Sequence, residues 1–135
     1  MAGYSGTPLI KKLGIKPGHR IALIDEPAGY RKYLGSLPEK VACSGQLEGK
    51  LNLIQLFVMQ RSELKGRFVA AKRCLAPDGA LWICWPKRTS GVETDLNENV
   101  VREIGLGLGL VDVKVCAVDE TWSGLKFVYR LKDRA

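Results

Sequence analysis

The sequence predicts an α/β fold, a three-layer sandwich built on about six mostly parallel strands. Three observations carry that prediction. Two continuous apolar runs, Leu53-Ile54-Gln55-Leu56-Phe57-Val58-Met59 and Ala80-Leu81-Trp82-Ile83-Cys84-Trp85, suit strands covered on both faces. Between them, Leu64, Phe68, Ala71 and Leu75 recur at the spacing of one helical face, so a helix over residues 62–75 crosses from one strand to the next. At the C-terminus, residues 111–118 and 125–131 alternate apolar with polar side chains around a turn at residues 119–124. That pattern is a β-hairpin, and it supplies one antiparallel strand.

The remaining elements follow in chain order. Thr7 reads as a helix cap, Pro8 as the first helical position and Gly14 as the stop, with Leu9, Ile10 and Leu13 on the apolar face. A turn at residues 15–18 leads into a first strand over residues 20–24. Pro27 and Gly29 break it, a short helix follows over residues 30–34, and residues 41–43 make a weak second strand. Ala76-Pro77-Asp78-Gly79 is expected to end the long helix before the next strand. Thr94 or Asp95 caps the last helix, with Glu98 completing a capping box if Asp95 is the cap, while Gly105, Gly107 and Gly109 weaken its end. The 135 residues are expected to form one domain.

Composition narrows the function classes. Hydrophobic residues at 46% and charged residues at 26% are those of a folding chain rather than a disordered one. No apolar run is long enough to span a bilayer, and the N-terminus lacks a signal-peptide pattern, so a cytoplasmic location without membrane partners is expected. The 21 Lys and Arg against 14 Asp and Glu give a net charge of +7, which attracts phosphate-bearing partners, nucleic acid among them. The basic residues form no run longer than two, and no nucleic-acid motif is present. Cys43, Cys74, Cys84 and Cys116 are 31, 10 and 32 residues apart and His19 is the sole histidine, which argues against a zinc site and against an activated thiol.

Three segments resemble the class I methyltransferase fold, a Rossmann-like sheet whose last strand is antiparallel. They are residues 13–24, a lead-in and first strand; Arg73-Cys74-Leu75-Ala76-Pro77-Asp78-Gly79-Ala80-Leu81-Trp82-Ile83, a helix, turn and strand; and Gly109-Leu110-Val111-Asp112-Val113-Lys114-Val115, a helix-to-strand entry. The resemblance implies S-adenosylmethionine as cofactor, held by a glycine-rich loop after the first strand. In this chain that loop reads Asp25-Glu26-Pro27-Ala28-Gly29-Tyr30, with one glycine, a proline that lacks an N–H and an added acid. Cys43-Ser44-Gly45-Gln46 stands where the family places a ribose-binding acid, with Glu48 nearest. Both chain ends, in Tyr4-Ser5-Gly6-Thr7-Pro8-Leu9, Trp85-Pro86-Lys87 and Asp119-Glu120-Thr121-Trp122-Ser123-Gly124-Leu125-Lys126, resemble a family of small bacterial proteins to which no reaction is assigned.

Open parallel sheets bind ligands outside the carboxyl ends of their strands. The candidate ligand-binding residues there are Asp25, Glu26 and Tyr30 after the first strand, Trp85, Lys87 and Arg88 after the fourth, and Asp119, Glu120 and Trp122 in the hairpin turn. Lys87 is expected beside that turn, forming one wall with Asp119 or Glu120 and Trp122, with Asp25 and Glu26 across a crevice. Asp119 and Glu120 are open to two readings, an acid/base pair or an Asx turn in which Asp119 only shapes the backbone. The reading that follows is a non-catalytic or regulatory domain for an anionic small molecule, its cofactor loop degraded. The alternatives are an S-adenosylmethionine-dependent or other small enzyme at the same edge, and weak nucleic-acid binding through the basic surface.

Overall fold

The computed structural model describes residues 8–134. Thr7 and the Tyr4-Ser5-Gly6-Thr7 part of the N-terminal motif lie outside them. Strands β1 (Arg20–Ile24), β2 (Ala42–Ser44), β3 (Leu51–Phe57), β4 (Leu75–Pro86), β5 (Leu110–Ala117) and β6 (Trp122–Tyr129) alternate with helices α1 (Leu9–Leu13), α2 (Tyr30–Leu34), α3 (Arg61–Cys74) and α4 (Glu98–Gly107). The sheet order is β2-β1-β3-β4-β6-β5. The first four strands in that order are parallel neighbours, and β6 runs antiparallel to both β4 and β5. The apolar run of residues 53–59 is therefore central, as its double-sided hydrophobicity requires. No helix among the described residues is long and apolar enough to cross a membrane.

Strand alternation divides the core between the two faces. Ile54, Leu56, Leu81, Ile83, Trp85 and Phe127 meet Leu64 and Phe68 of α3 and Val101 of α4 on one side. Ile21, Leu23, Leu53, Phe57, Trp82 and Cys84 meet Leu13 of α1 and Tyr30 and Leu34 of α2 on the other. Trp82 and Trp85, three apart on one strand, accordingly face opposite layers, and the indole N–H of Trp82 donates to the Leu13 carbonyl at 3.0 Å.

Several boundaries differ from expectation for identifiable reasons. Pro8 is the cap of α1 rather than its first helical residue, and Gly14 stops the helix at φ 86°. The 76–79 segment does not separate helix from strand, because β4 starts at Leu75 and absorbs Pro77, Asp78 and Gly79 in a bulge where the pairing with β3 shifts between Leu51 and Leu53. The cap of α4 is neither Thr94 nor Asp95 but Asn97, whose side chain accepts from the Val100 N–H at 2.9 Å. Asp95 instead accepts at 2.8 Å from the Arg61 N–H at the start of α3, and Thr94 donates to the Met59 carbonyl. The expected box is thus spent on fastening the loop before α4 to a different helix. The hairpin turn is shorter than residues 119–124, since β6 begins at Trp122. Gly124 lies within β6, where a Cβ would come 3.1 Å from the Trp82 ring and 3.2 Å from Val118, so the position favours glycine.

Helix α4 runs through Gly105, which is buried against Phe127. Phe127 stands edge-on to Phe68 at 5.3 Å between centroids, so its ring is fixed by α3 and leaves no space for a methyl group on α4. Alanine gains about 1 kcal/mol over glycine in a helix interior, whereas overpacking a rigid core costs about 1–3 kcal/mol. Gly105→Ala is therefore expected to lower stability in urea unfolding. An unchanged or raised midpoint would show that Phe127 moves freely.

Candidate functional site

The carboxyl ends of β1, β3 and β4 share one edge with the β5–β6 turn, because Phe57 pairs with Cys84 and Pro86 with Trp122. The Lys87 N–H donates to the Thr121 carbonyl at 2.7 Å, which places Lys87 beside the turn at the level of the backbone. The side chains then part. Trp85, Lys87 and Ser123 belong to the α3/α4 face, whereas Trp122 stands edge-on to Phe57 at 5.2 Å on the α1/α2 face. The single wall expected of Lys87 and Trp122 is not formed, because adjacent strand positions point to opposite layers.

On the α3/α4 face, an open cleft of about 700 Å³ follows the end of β4. Its lining joins the buried Trp85 and Leu96 with Lys87 and Arg88 after β4 and with Asn97 and Glu98 at the start of α4. A single 3-10 turn, Arg88–Ser90, and the extended segment that follows build the rim. Of the acids present, Glu98 is paired with Arg102 at 2.6 Å and Asp95 is held by the Arg61 N–H. Lys87 and Arg88 make no ion pair among the described residues and line the cleft together with Glu93.

The loop after β1 is organised differently. Asp25 adopts φ 58°, and its carboxylate pairs with Arg67, which reaches across from α3 and also holds Glu63 at 3.1 Å. Glu26 pairs with Arg31 at 2.7 Å. Tyr30, expected at the ligand edge, is buried in the core. Its hydroxyl donates to Gln55 Oε1 at 2.8 Å, Gln55 Nε2 in turn reaches Cys84 Sγ at 3.5 Å, and its ring stands edge-on to Phe57 at 4.9 Å. Burial pushes the Tyr30 hydroxyl and the Cys84 thiol well above their ordinary ranges, so both stay protonated at neutral pH.

Of the hairpin acids, Asp119 takes the turn-forming role. Its Oδ1 accepts from the N–H groups of Thr121 at 2.8 Å and Trp122 at 2.7 Å, while Glu120 is exposed. Asp119 is thus committed to the turn through Oδ1. The sequence reading missed Gln55, Arg67 and Asn97. Gln55 alone carried a signal, as the one polar residue inside an apolar run.

The architecture is that of solved methyltransferases. The chain is similar to an S-adenosylmethionine-dependent methyltransferase from Aquifex aeolicus, with TM-score 0.64 and 18% identity over 88% of this chain and 86% of that one. It is similar to a TehB-like methyltransferase from Corynebacterium glutamicum, with TM-score 0.57 and 13% identity over 90% and 85%. Magnesium protoporphyrin IX methyltransferase from Synechocystis, solved with bound SAH, gives 0.55 and 11% over 90% and 78%. No protein-family model and no curated protein matches the chain. At these identities the comparisons establish the fold, a Rossmann-like methyltransferase sheet.

The residues at the end of β1 do not fit the cofactor of that fold. A methionine carboxylate needs free backbone N–H groups and positive potential, whereas Pro27 has no N–H, the Tyr30 N–H is taken by the Pro27 carbonyl, and Arg67 and Arg31 are spent on Asp25 and Glu26. Gly29 is its single glycine, at φ 80°. On the ribose side, the Ser44 hydroxyl accepts from the Gln46 N–H at 3.0 Å, and Glu48 lines the same small concavity. Among the described residues no cluster of three or more His, Cys, Asp or Glu is placed to hold a metal ion.

The two readings of Asp119 separate by substitution. Asp119→Ala strands two turn N–H donors and is expected to cost about 1–2 kcal/mol in urea unfolding, while Asp119→Asn keeps an acceptor and most of the stability. Equal losses in the two variants would contradict the turn-forming role.

Proposed function

We propose that the chain is a non-catalytic binding domain on a methyltransferase-like sheet, taking an anionic small molecule in the cleft beyond β4. The observation that carries the reading is a cleft lined by Lys87 and Arg88, which make no ion pair among the described residues, together with the start of α4. Arginine supplies a planar fork and lysine a point charge, and the first-turn amides of a ten-residue helix add positive potential. Trp85 beneath them offers an apolar floor for the body of the ligand. On this reading the chain belongs with the small bacterial family that its Trp85-Pro86-Lys87 and hairpin segments resemble.

A second reading, an S-adenosylmethionine-dependent enzyme, is favoured by the fold of the similar structures alone. A crystal soaked in a metabolite mixture distinguishes the two. Density between Lys87, Arg88 and Asn97 is the expected result, and density beside Asp25 and Gly29 would overturn it. Once a ligand is found, Lys87→Ala is expected to abolish its binding while changing stability by about 0.5 kcal/mol or less, as for a surface substitution. Unchanged affinity in that variant would reject the assignment.

A further inference from the structure

The opposite edge of the sheet, where β1 and β3 begin and β6 ends, holds a second concavity. A pocket of about 280 Å³ opens there on the α1/α2 face. Its polar lining is Lys16, His19, Asn52, Asp78, Lys126 and Arg134. Three cations thus meet one carboxylate, and none of the four charged groups forms an ion pair among the described residues.

Lys126 is the centre of this cluster. It lies opposite Trp82 in the β4–β6 ladder, and its side chain runs along the sheet to the end of α1, where a Cβ on Gly14 would stand 3.9 Å from its Nζ. Burial lowers its pKa, and the neighbouring Lys114 and Lys16 lower it further. Like charges held together and partly desolvated raise the energy of the free protein, and a bound anion relieves that cost.

The neutral groups are set as donors. His19 Nδ1 accepts from the Lys16 N–H at 3.2 Å, which leaves the ring proton on Nε2. Burial, and then Lys16, lower the His19 pKa against an opposing pull from Asp78, so the ring is neutral at pH 7. Asn52 Oδ1 accepts from the Arg20 N–H at 2.8 Å, so its amide NH₂ remains to donate. Arg134 spends Nε on the Tyr129 carbonyl at 2.9 Å and keeps its terminal nitrogens.

We propose that this pocket binds the terminal phosphoryl group of a small molecule, with Lys16 and Lys126 as charge partners and His19 and Asn52 as neutral donors. A terminal phosphoryl group carries about −1.5 to −2 charge and three acceptor oxygens, which matches several convergent donors. The diester of a nucleic-acid backbone carries one charge and is flanked by sugars on both sides, so a pocket of only about 280 Å³ suits it less. The site is separate from the Lys87 cleft and does not depend on it.

Calorimetric titration of the full chain with inorganic pyrophosphate at low salt tests the assignment. Saturable binding is expected, weakened by about tenfold or more in Lys126→Gln and in Lys16→Gln. The exposed Lys65→Gln on α3, which makes the same change in net charge, is expected to leave the affinity unchanged. Bound pyrophosphate should raise the His19 pKa followed by NMR, since an anion favours the imidazolium. Lys126→Gln should melt no lower than the parent, because it relieves the crowding, and the exposed Lys16→Gln provides the affinity readout whatever the fate of that variant. Absent binding, equal weakening by Lys65→Gln, or a short DNA duplex that binds through Lys126 when pyrophosphate does not would each overturn the proposal.

Discussion

Gln55 is a fully buried polar side chain at the middle of the central strand, and its satisfaction constrains much of the fold. With β3 covered on both faces, no water reaches its amide, and an unpaired buried amide costs about 1–3 kcal/mol. The Tyr30 hydroxyl on one side and the Cys84 sulfur on the other complete it. Tyr30 is the first residue of α2, so the bond draws that helix onto the sheet and fixes the length of chain between β1 and α2. Five residues then have to close the end of β1, and they do so with a proline and two acids turned toward Arg67 and Arg31. Those ion pairs are exposed and contribute about 0–1 kcal/mol each, less than the buried bond that positions them.

The sheet keeps the methyltransferase-like strand order while side chains pack the carboxyl ends of its strands on one face. The aromatic sequence Tyr30, Phe57, Trp122 packs edge to face along the carboxyl ends of the strands on the α1/α2 face. The α3/α4 face remains open past β4, since the loop to α4 is tied down by Asp95 and Thr94 at the start of α3 and so leaves a cleft behind it. On the proposed reading the ligand is taken at the end of β4 rather than of β1, and the pocket at the opposite edge gathers Lys16, Lys126 and Arg134 with no ion pair among the described residues.

Strand identity and order were legible because they rest on long-range burial. The run of residues 53–59 is apolar on both faces, hence central, and the alternating segments after Leu110 are an antiparallel pair. Features set by tertiary contact were less legible. Nothing local marks Asn97 over Asp95 as the cap of α4, because the choice depends on Asp95 being taken by α3. Pro77-Asp78-Gly79 has the composition of a turn and becomes a bulge because α3 delivers Leu75 directly into pairing with Leu51. Of the candidate site, the proximity of Lys87 to the hairpin turn followed from strand order, whereas the burial of Tyr30 depended on Gln55, which lies 25 residues away.

The central claim is that the end of β1, closed by Tyr30 and its bond to Gln55, leaves no seat for the methyltransferase cofactor. Equilibrium dialysis of the full chain against labelled S-adenosylmethionine measures this directly. The account predicts no saturable uptake through the micromolar range, in the parent protein as in Arg67→Ala, where only the weak exposed pair is removed. Saturable micromolar binding by the parent chain would contradict it.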